Sequence, residues 1–336
     1  MNSTSQELYF AMLRIRMVEE KIAELYSEQE MRCPVHLSIG QEAVAVGVCD
    51  HLEREDIIMS AHRAHAHYLA KGGDLKSMLA ELYGKETGCA IGKGGSMHLV
   101  DLNSGFFAAV PIVGSTIPIA VGVAWAFKLK KSSNIVTVFL GDGATEEGVF
   151  FESLDFASLK NVPILFVCEN NLYSVYSQLD VRQAPGRKLS ALAESHGIKS
   201  FTGDGNNIDQ VSELSKEAIE YIKSNNAPAF MELDTFRWLE HCGPSYDNHI
   251  GYRSESEFLE WQAKEPIVRF ERVMLDNLTI TPAELQLMND NIALEVEEAF
   301  TYAEESPMPQ ADSAYSDLYS EQPSVSSAHQ SEGENI

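Results

Sequence analysis

Two oxygen-bearing side chains, Asp142 and Asn171, each follow a predicted buried strand and lie 29 residues apart. A carboxylate and a carboxamide suit a hard divalent cation such as Mg²⁺, which completes its shell with diphosphate oxygens, water and a backbone carbonyl. Gly141 and Gly143 flank Asp142 and let backbone N–H groups approach a phosphate, and the helix that follows directs its positive end there. The pattern predicts a site for a metal-bridged diphosphate.

The segments around these two residues predict one βαβ unit: a strand at 135–140, a helix near 146–160 and a strand at 164–168. A helix of ~14 residues travels about 21 Å, and a strand of ~6 residues returns about 20 Å. Asn171 should therefore return to the sheet edge that holds Asp142. This edge is the carboxyl end of the strands, where open α/β sheets bind ligands.

The alternation continues with helices near 188–196 and 208–223 and a strand at 229–235, which predicts an α/β fold whose parallel sheet has helices on both faces. We expect an N-terminal helical arm at 1–34, an α/β domain at 35–280 and a C-terminal helical segment at 281–319, with its helix at 282–305. Residues 320–336 are predicted to be a disordered acidic tail. The polar, irregular residues 237–257 predict a functional loop.

Charge and cysteine content exclude several classes of protein. The chain has 25 Lys and Arg against 50 Asp and Glu, a net charge of -25, and no basic stripe, so no nucleic-acid partner is expected. Twelve of the acidic residues fall in 281–336, which favours a solvated acidic face over a docking tail for a basic partner. Five scattered cysteines and a polar N-terminus favour a reducing, cytoplasmic location.

Residues 102–127 carry no charge, which raises the alternative of a membrane span. Pro111 and Pro118 interrupt the stretch, and residues 117–129 alone predict a buried helix. We therefore expect no membrane helix.

The two motifs Gly141-Asp142-Gly143 and Asn170-Asn171 together resemble the thiamine diphosphate motif. Over about residues 8–319 the chain resembles the alpha subunits of the decarboxylase components of 2-oxo acid dehydrogenases, the pyruvate, branched-chain and acetoin types. The resemblance implies a thiamine diphosphate-binding fold. The further segments that carry it are His36 to Ala43, Ala61 to His65, Gly92 to His98, Ile112 to Gly114, and Tyr252-Arg253.

The resemblance also implies a role for each site residue. Mg²⁺ would be held by Asp142, Asn171 and the carbonyl of Tyr173. The diphosphate would be held by the backbone amides of Gly143 and Ala144 together with His62 and Arg63. Ile112 and Val113 would lie along the aminopyrimidine, His36 near the reacting carbon, and Arg237 and His241 in a loop over the cofactor. His36 and His241 would assist proton transfer and acyl handover.

In the resembled family the glutamate that activates the cofactor belongs to a beta subunit, so the chain is expected to be half of an active site. The implied assembly is an alpha2-beta2 heterotetramer that decarboxylates a pyruvate-like 2-oxo acid and passes the acyl group to a lipoyl-bearing acyltransferase. One alternative is an acetoin-cleaving dehydrogenase or carboligase relative with the same cofactor. Another is a non-catalytic assembly subunit that keeps the fold.

Several motifs have a competing structural interpretation. Gly203 to Asn207 repeats the letters of the motif without a helix and strand between them, and predicts a turn before a helix at Ile208. His62, His65 and His67 do not share one helix face, so one cofactor-facing residue is favoured over a transition-metal site. Adjacency of His241 and Cys242 is weak support for cysteine catalysis.

Three residues depart from the resembled family. Pro111 stands where Gly is usual, and its fixed φ narrows the loop's conformations. Glu240 and Cys242 fall in a segment where His-Gly-His-Ser is usual, so a phosphorylatable serine is absent at Cys242.

Overall fold

A computed structural model describes residues 3–316, and its centre is a parallel β-sheet. The strands of this sheet are β1 (Ile57–Ser60), β2 (Phe106–Ala109), β3 (Val136–Gly141), β4 (Ile164–Asn170), β7 (Lys199–Asp204) and β8 (Ala229–Asp234). Their order is β2-β1-β3-β4-β8-β7, and all neighbours are parallel. A separate antiparallel hairpin is formed by β5 (Tyr173–Ser174) and β6 (Ser177–Gln178).

Helices cover both faces of the sheet. They are α1 (Ser5–Leu25), α2 (Glu42–Cys49), α3 (His65–Ala70), α4 (Leu75–Leu82), α5 (Thr116–Leu129), α6 (Gly148–Lys160), α7 (Leu179–Arg182), α8 (Leu189–Ser195), α9 (Ile208–Asn225), α10 (Glu255–Gln262), α11 (Pro266–Asp276) and α12 (Pro282–Glu305). The two long terminal helices begin at capping boxes, Thr4 with Glu7 and Thr281 with Glu284.

The central strand β4 shows how the two layers form. All seven of its residues are buried, and successive side chains enter opposite hydrophobic clusters. Leu165 and Val167 join the cluster that contains α1, α2, α9 and α12, whereas Phe166 and Cys168 join the cluster of α5, α6 and α8. A strand buried on both faces is typically a continuous apolar run, as residues 164–168 of β4 are, and polar residues begin only at its carboxyl end with Glu169. The predicted α/β fold with a doubly covered parallel sheet is confirmed.

The elements differ from the sequence-based expectation in three places. The strands β1, β2 and β7 were not predicted, since β1 and β2 have only four residues each and β7 carries polar residues at most positions. The helices α10 and α11 were also missed. The predicted turn at Gly203 to Asn207 is wrong for Gly203 and Asp204, which end β7; the turn starts at Gly205.

The predicted buried helix over 117–129 corresponds to α5, but one of its faces is open. Ile119 is 44% exposed and Leu129 65% exposed, so the expectation of full burial is wrong. Between residues 3 and 316, no helix combines the length and the apolar character needed to cross a membrane. The predicted disorder of 320–336 falls outside the described residues, and the segment boundaries drawn from the sequence stay a prediction.

A single buried carboxylate organises the glycine-rich loop after α4. Glu81 accepts hydrogen bonds from the backbone N–H groups of Ala90, Gly92, Gly94 and Gly95, at 2.8, 2.9, 2.7 and 2.9 Å. Gly92 and Gly95 have φ values of +70° and +63°, which let the amides converge on one point. The loop is therefore held by four charge-assisted hydrogen bonds to one side chain.

We expect Glu81→Gln to lower the free energy of unfolding by about 3 kcal/mol, because the amide group keeps the shape but turns an N–H donor toward N–H donors. Urea denaturation of the purified chain measures this change. Glu86→Gln, at an exposed position in the same loop, is the matched control and should shift stability by no more than about 0.5 kcal/mol. Equal denaturation midpoints for the two variants would show that the loop does not depend on the carboxylate.

Candidate active site

Asp142 and Asn171 leave the sheet at the same edge. The strands β3 and β4 pair in parallel register with Gly141 opposite Glu169, so the residues that follow lie side by side at the carboxyl end. Both are buried, at 1% and 7% exposure. The helix after Asp142 begins at Gly148, two residues later than expected, because Asp142–Glu146 forms a 3-10 turn. The 29-residue spacing thus brings the two oxygen donors to one edge.

Each of these two side chains is oriented by identifiable partners. Burial raises the pKa of Asp142, and the guanidinium of Arg182, which donates to its carboxylate, opposes this rise. The Asn171 Oδ1 accepts the N–H of Tyr173 at 3.2 Å, and its Nδ2 donates to Gln41 Oε1 at 3.2 Å. The amide oxygen therefore lies toward the start of the β5–β6 hairpin.

A cavity of about 210 Å³ opens over this edge. Ile112 is 69% exposed and lies outside the cavity. Asp142 is buried beneath the surface of the cavity. Arg237 is buried behind it and donates to the carbonyls of Val175 and Leu239. The sequence-predicted residues that line the cavity are His36, His62, Arg63, Val113, Gly143, Ala144, Asn171, Tyr173 and His241.

Three imidazoles converge at one side of the cavity. The ring centroids of His36, His62 and His241 are 4.5, 5.0 and 5.1 Å apart, and His36 Nδ1 is buried without a hydrogen-bond partner among the described residues. Burial, reinforced by the charge of Arg63, lowers the pKa of His36 to about 2, of His62 to about 4 and of His241 to about 3. All three rings are therefore neutral at neutral pH.

His65 and His67, the neighbours of His62 in the sequence, are held apart from these three imidazoles. His65 is fully buried between Glu19 and Ser96, at 3.1 and 2.7 Å. His67 lines the cavity, where its Nδ1 lies 2.8 Å from Ser60 Oγ and its ring stacks on Phe139. The structure brings His62 together with His36 and His241, and not with its sequence neighbours.

The loop after β8 is fixed by a buried arginine network. Arg253 donates to the Asp247 carboxylate at 2.7 Å and to the carbonyl of Arg237 at 2.8 Å. Arg237 in turn donates to the hydroxyl of Tyr252 at 2.8 Å. These bonds order residues 237–253 and hold His241 against the cavity.

The three departures have separate structural outcomes. Pro111 lines the cavity. The Glu240 carboxylate accepts the N–H of Ser245 at 2.9 Å and so closes a turn of its own loop. Cys242 is an exposed residue, but its thiol is partly desolvated. This desolvation and the nearby charge of Glu240 raise the pKa of the thiol, which leaves it protonated at neutral pH.

Sequence reasoning missed two residues at this site. Glu169 lines the cavity, with its Oε2 3.2 Å from His67 Nε2, and its place directly before Asn170-Asn171 was an available signal. Arg182 contacts Asp142 from a short helix beyond the hairpin, and nothing in its local sequence indicates that contact.

Comparison with known proteins gives one consistent family. The family model described as dehydrogenase E1 component matches residues 10–312. Over 308 residues the chain is 37% identical to a pyruvate dehydrogenase E1 component subunit alpha from Rickettsia felis, covering 92% of this chain and 93% of that protein. It is also 36% identical over 313 residues to the alpha subunit of the acetoin:2,6-dichlorophenolindophenol oxidoreductase of Bacillus subtilis. This match covers 93% of this chain and 92% of that protein.

A mitochondrial pyruvate dehydrogenase E1 component subunit alpha from Dictyostelium discoideum is 34% identical, covering 92% of this chain and 80% of that protein. The matched region includes both strand ends, the three converging histidines and the loop that carries His241. The chain therefore belongs to the dehydrogenase E1 component family, among the alpha subunits of 2-oxo acid dehydrogenases.

Proposed function

We propose that this alpha subunit works with thiamine diphosphate and Mg²⁺, decarboxylates a pyruvate-like 2-oxo acid and passes the acyl group to a lipoyl acceptor. The observation that carries the proposal is the pairing of Asp142 and Asn171 at one sheet edge, beneath a cavity that three neutral imidazoles also line. The oxygen donors suit a metal-bridged diphosphate. The neutral imidazoles, beside Arg63, can hydrogen-bond to oxygens of the cofactor and the substrate.

The donor set at the sheet edge fits the proposed groups. Asp142, Asn171 and the carbonyl of Tyr173 would hold Mg²⁺, and the amides of Gly143 and Ala144 would hold the diphosphate. A Cβ on Gly143 would lie 2.8 Å from Ser174 Oγ, so glycine keeps this approach to the backbone open. His62 and Arg63 would complete the diphosphate site.

The bound thiazolium supplies the electron sink of the reaction, so the protein's task is to bind, orient and shield. His36 is buried, His241 is half-buried, and both rings are neutral and adjacent, so each can donate a hydrogen bond to a substrate oxygen. The unpaired Nδ1 of His36 leaves this ring nitrogen available for such a hydrogen bond. Arg63, anchored on the carbonyl of Leu37, keeps a positive charge beside these rings.

A beta subunit is the proposed partner, and the open face of α5 supports this. Ile119 and Gly122 are exposed on a helix whose neighbouring residues Thr116 and Ile117 line the cavity. A Cβ on Gly122 would meet nothing within 4 Å, so the face is free for close approach by another chain. We propose that the partner docks here, forms an alpha2-beta2 assembly and brings the activating glutamate to the cofactor. The lipoyl-bearing acyltransferase would receive the acyl group.

Acetoin cleavage is a second candidate, because the relative named for acetoin oxidation is 36% identical, close to the 37% of the pyruvate dehydrogenase relative. Reconstitution with the beta subunit separates the two. Decarboxylation of pyruvate with acylation of a lipoyl domain supports the first function, whereas cleavage of acetoin without turnover of any 2-oxo acid supports the second.

We expect Asp142→Ala to weaken magnesium-dependent binding of thiamine diphosphate by at least about 100-fold, because it removes a ligand that is buried at the metal position. Calorimetry on the reconstituted complex measures the affinity. Asp204→Ala is the matched control, since Asp204 lies in a Gly-Asp-Gly sequence at the end of β7 but forms a partly exposed ion pair with Arg269. Equal affinity for both variants, with normal turnover, would favour the non-catalytic assembly subunit.

The depressed pKa of His36 predicts a loss of stability in acid. Below about pH 6.5 the unfolded chain takes up a proton that folded His36, with its pKa of about 2, does not, so stability falls as the pH falls. At pH 5 this proton uptake lowers the free energy of unfolding by about 2 kcal/mol for one residue. Between pH 7 and pH 5, His36→Asn should therefore lose about 2 kcal/mol less than the wild-type chain.

Urea denaturation at the two pH values tests the effect of His36. His249→Asn, at an exposed position in the loop after β8, is the control and should keep the wild-type dependence. If His36→Asn loses as much free energy of unfolding between pH 7 and pH 5 as the wild-type chain does, then His36 is not held neutral in the folded chain.

The docking proposal predicts that Ile119→Asp weakens binding of the beta subunit by at least about tenfold, because a charge would be buried against an apolar partner. Leu278→Asp makes the same change at a residue that is 88% exposed, in the turn between α11 and α12, and should bind normally. Co-purification and sedimentation analysis measure assembly. Normal assembly of Ile119→Asp would place the partner elsewhere.

A further inference from the structure

Arg182 lies at the place where the proposed function requires a metal. Its Nη2 donates to the Asp142 carboxylate, its Nη1 donates to Glu146, and its Nε donates to the carbonyl of Ser177 at 3.0 Å. Nη1 is also 3.8 Å from the position that a Cβ on Gly143 would take. One guanidinium therefore covers both the proposed metal ligand and the first proposed diphosphate amide.

The pairing has a clear electrostatic cause. The Asp142 side chain is 1% exposed, and a carboxylate buried to this extent needs a positive partner to stay ionised. Arg182 is the cation that meets this need in the described part of the chain, and its own side chain is 11% exposed. A divalent metal on the same carboxylate would repel the guanidinium strongly at contact distance. The two cations thus compete for one carboxylate.

The surroundings of Arg182 offer it a second position. Glu146 lies at the end of the 3-10 turn, and its side chain is 27% exposed, so it faces solvent more than Asp142 does. Arg182 already contacts both carboxylates. Release from Asp142 therefore needs a rotation of the side chain about an ion pair that persists, and no unfolding of α7.

We propose that Arg182 is a displaceable counter-cation of the metal site, which neutralises Asp142 in the metal-free chain and moves onto Glu146 when the metal binds. This inference rests on the proposed role of Asp142 as a metal ligand. It assigns to α7 and the β5–β6 hairpin a state that depends on metal loading, because the bond from Arg182 to Asp142 ties that segment to the sheet edge.

The test uses Mn²⁺ alone as the probe, titrated into the complex of this chain with its beta subunit and followed by electron paramagnetic resonance. Arg182→Gln should bind Mn²⁺ about tenfold more tightly than wild type, because the competing charge is gone. Arg182→Lys should stay close to wild type. Arg187→Gln is the matched control, since Arg187 contacts the carbonyl of Thr145 and not Asp142, and it should also bind normally.

A second measurement separates displacement from simple repulsion through space. Hydrogen exchange of residues 177–183 in wild type should become faster when Mg²⁺ replaces EDTA, and this change should be absent in Asp142→Asn. This readout needs no Arg182 variant to fold. Unchanged exchange on addition of Mg²⁺, or Mn²⁺ binding by Arg182→Gln that is equal to or weaker than wild type, would overturn the proposal.

Mn²⁺ binding by Asp142→Asn distinguishes a failure of the proposed metal site from a failure of the role assigned to Arg182. If this variant binds Mn²⁺ as wild type does, then Asp142 is not a metal ligand, and the proposed function fails together with the inference. If it loses Mn²⁺ binding while Arg182→Gln gains none, then the metal site stands and the inference about Arg182 alone is wrong.

Discussion

The arrangement of the site depends on one constraint: a carboxylate buried at the end of a parallel strand must have a cation beside it. Asp142 is desolvated because β3 runs through the middle of a sheet covered on both faces, and its neighbours in the core are apolar. Burial alone would favour the neutral acid. The chain meets this demand with Arg182, and the proposed function meets it with Mg²⁺.

The histidine cluster that lines the cavity obeys the reverse constraint. His36, His62 and His241 lie beside Arg63, so a proton added to any of them would bring two positive charges together in a poorly solvated space. The imidazoles therefore stay neutral and keep both a donor and an acceptor nitrogen available. The cavity thus adjoins a buried carboxylate that requires a cation, and it is lined by a histidine cluster beside Arg63 that stays uncharged.

The sequence alone was sufficient to predict those parts of the fold that depend on the lengths of neighbouring helices and strands. The spacing of Asp142 and Asn171 was interpretable because one helix and one strand span almost equal lengths. The same logic could not find Arg182, which reaches Asp142 through a hairpin and a four-residue helix whose course the local sequence leaves open. It also could not foresee that His62 joins His36 and His241, since those residues meet only after the loop beyond β8 folds back. Gly203-Asp204-Gly205 shows the limit of a motif: its aspartate also ends a strand, but at a solvent-facing edge, where Arg269 pairs with it.

The exposed position of Ile112 bears on why one chain is insufficient. The resemblance assigns Ile112 to the aminopyrimidine, yet the residue is 69% exposed, and α5 beside it presents an uncharged face to solvent. Apolar residues that border a cavity but face water are characteristic of a surface that another protein covers. A partner seated on α5 would also cover Ile112, which adjoins the cavity-lining residue Val113, and would exclude water from that part of the cavity. In the proposed assembly the open face of α5 and the exposure of Ile112 have one cause, since the beta subunit would cover both.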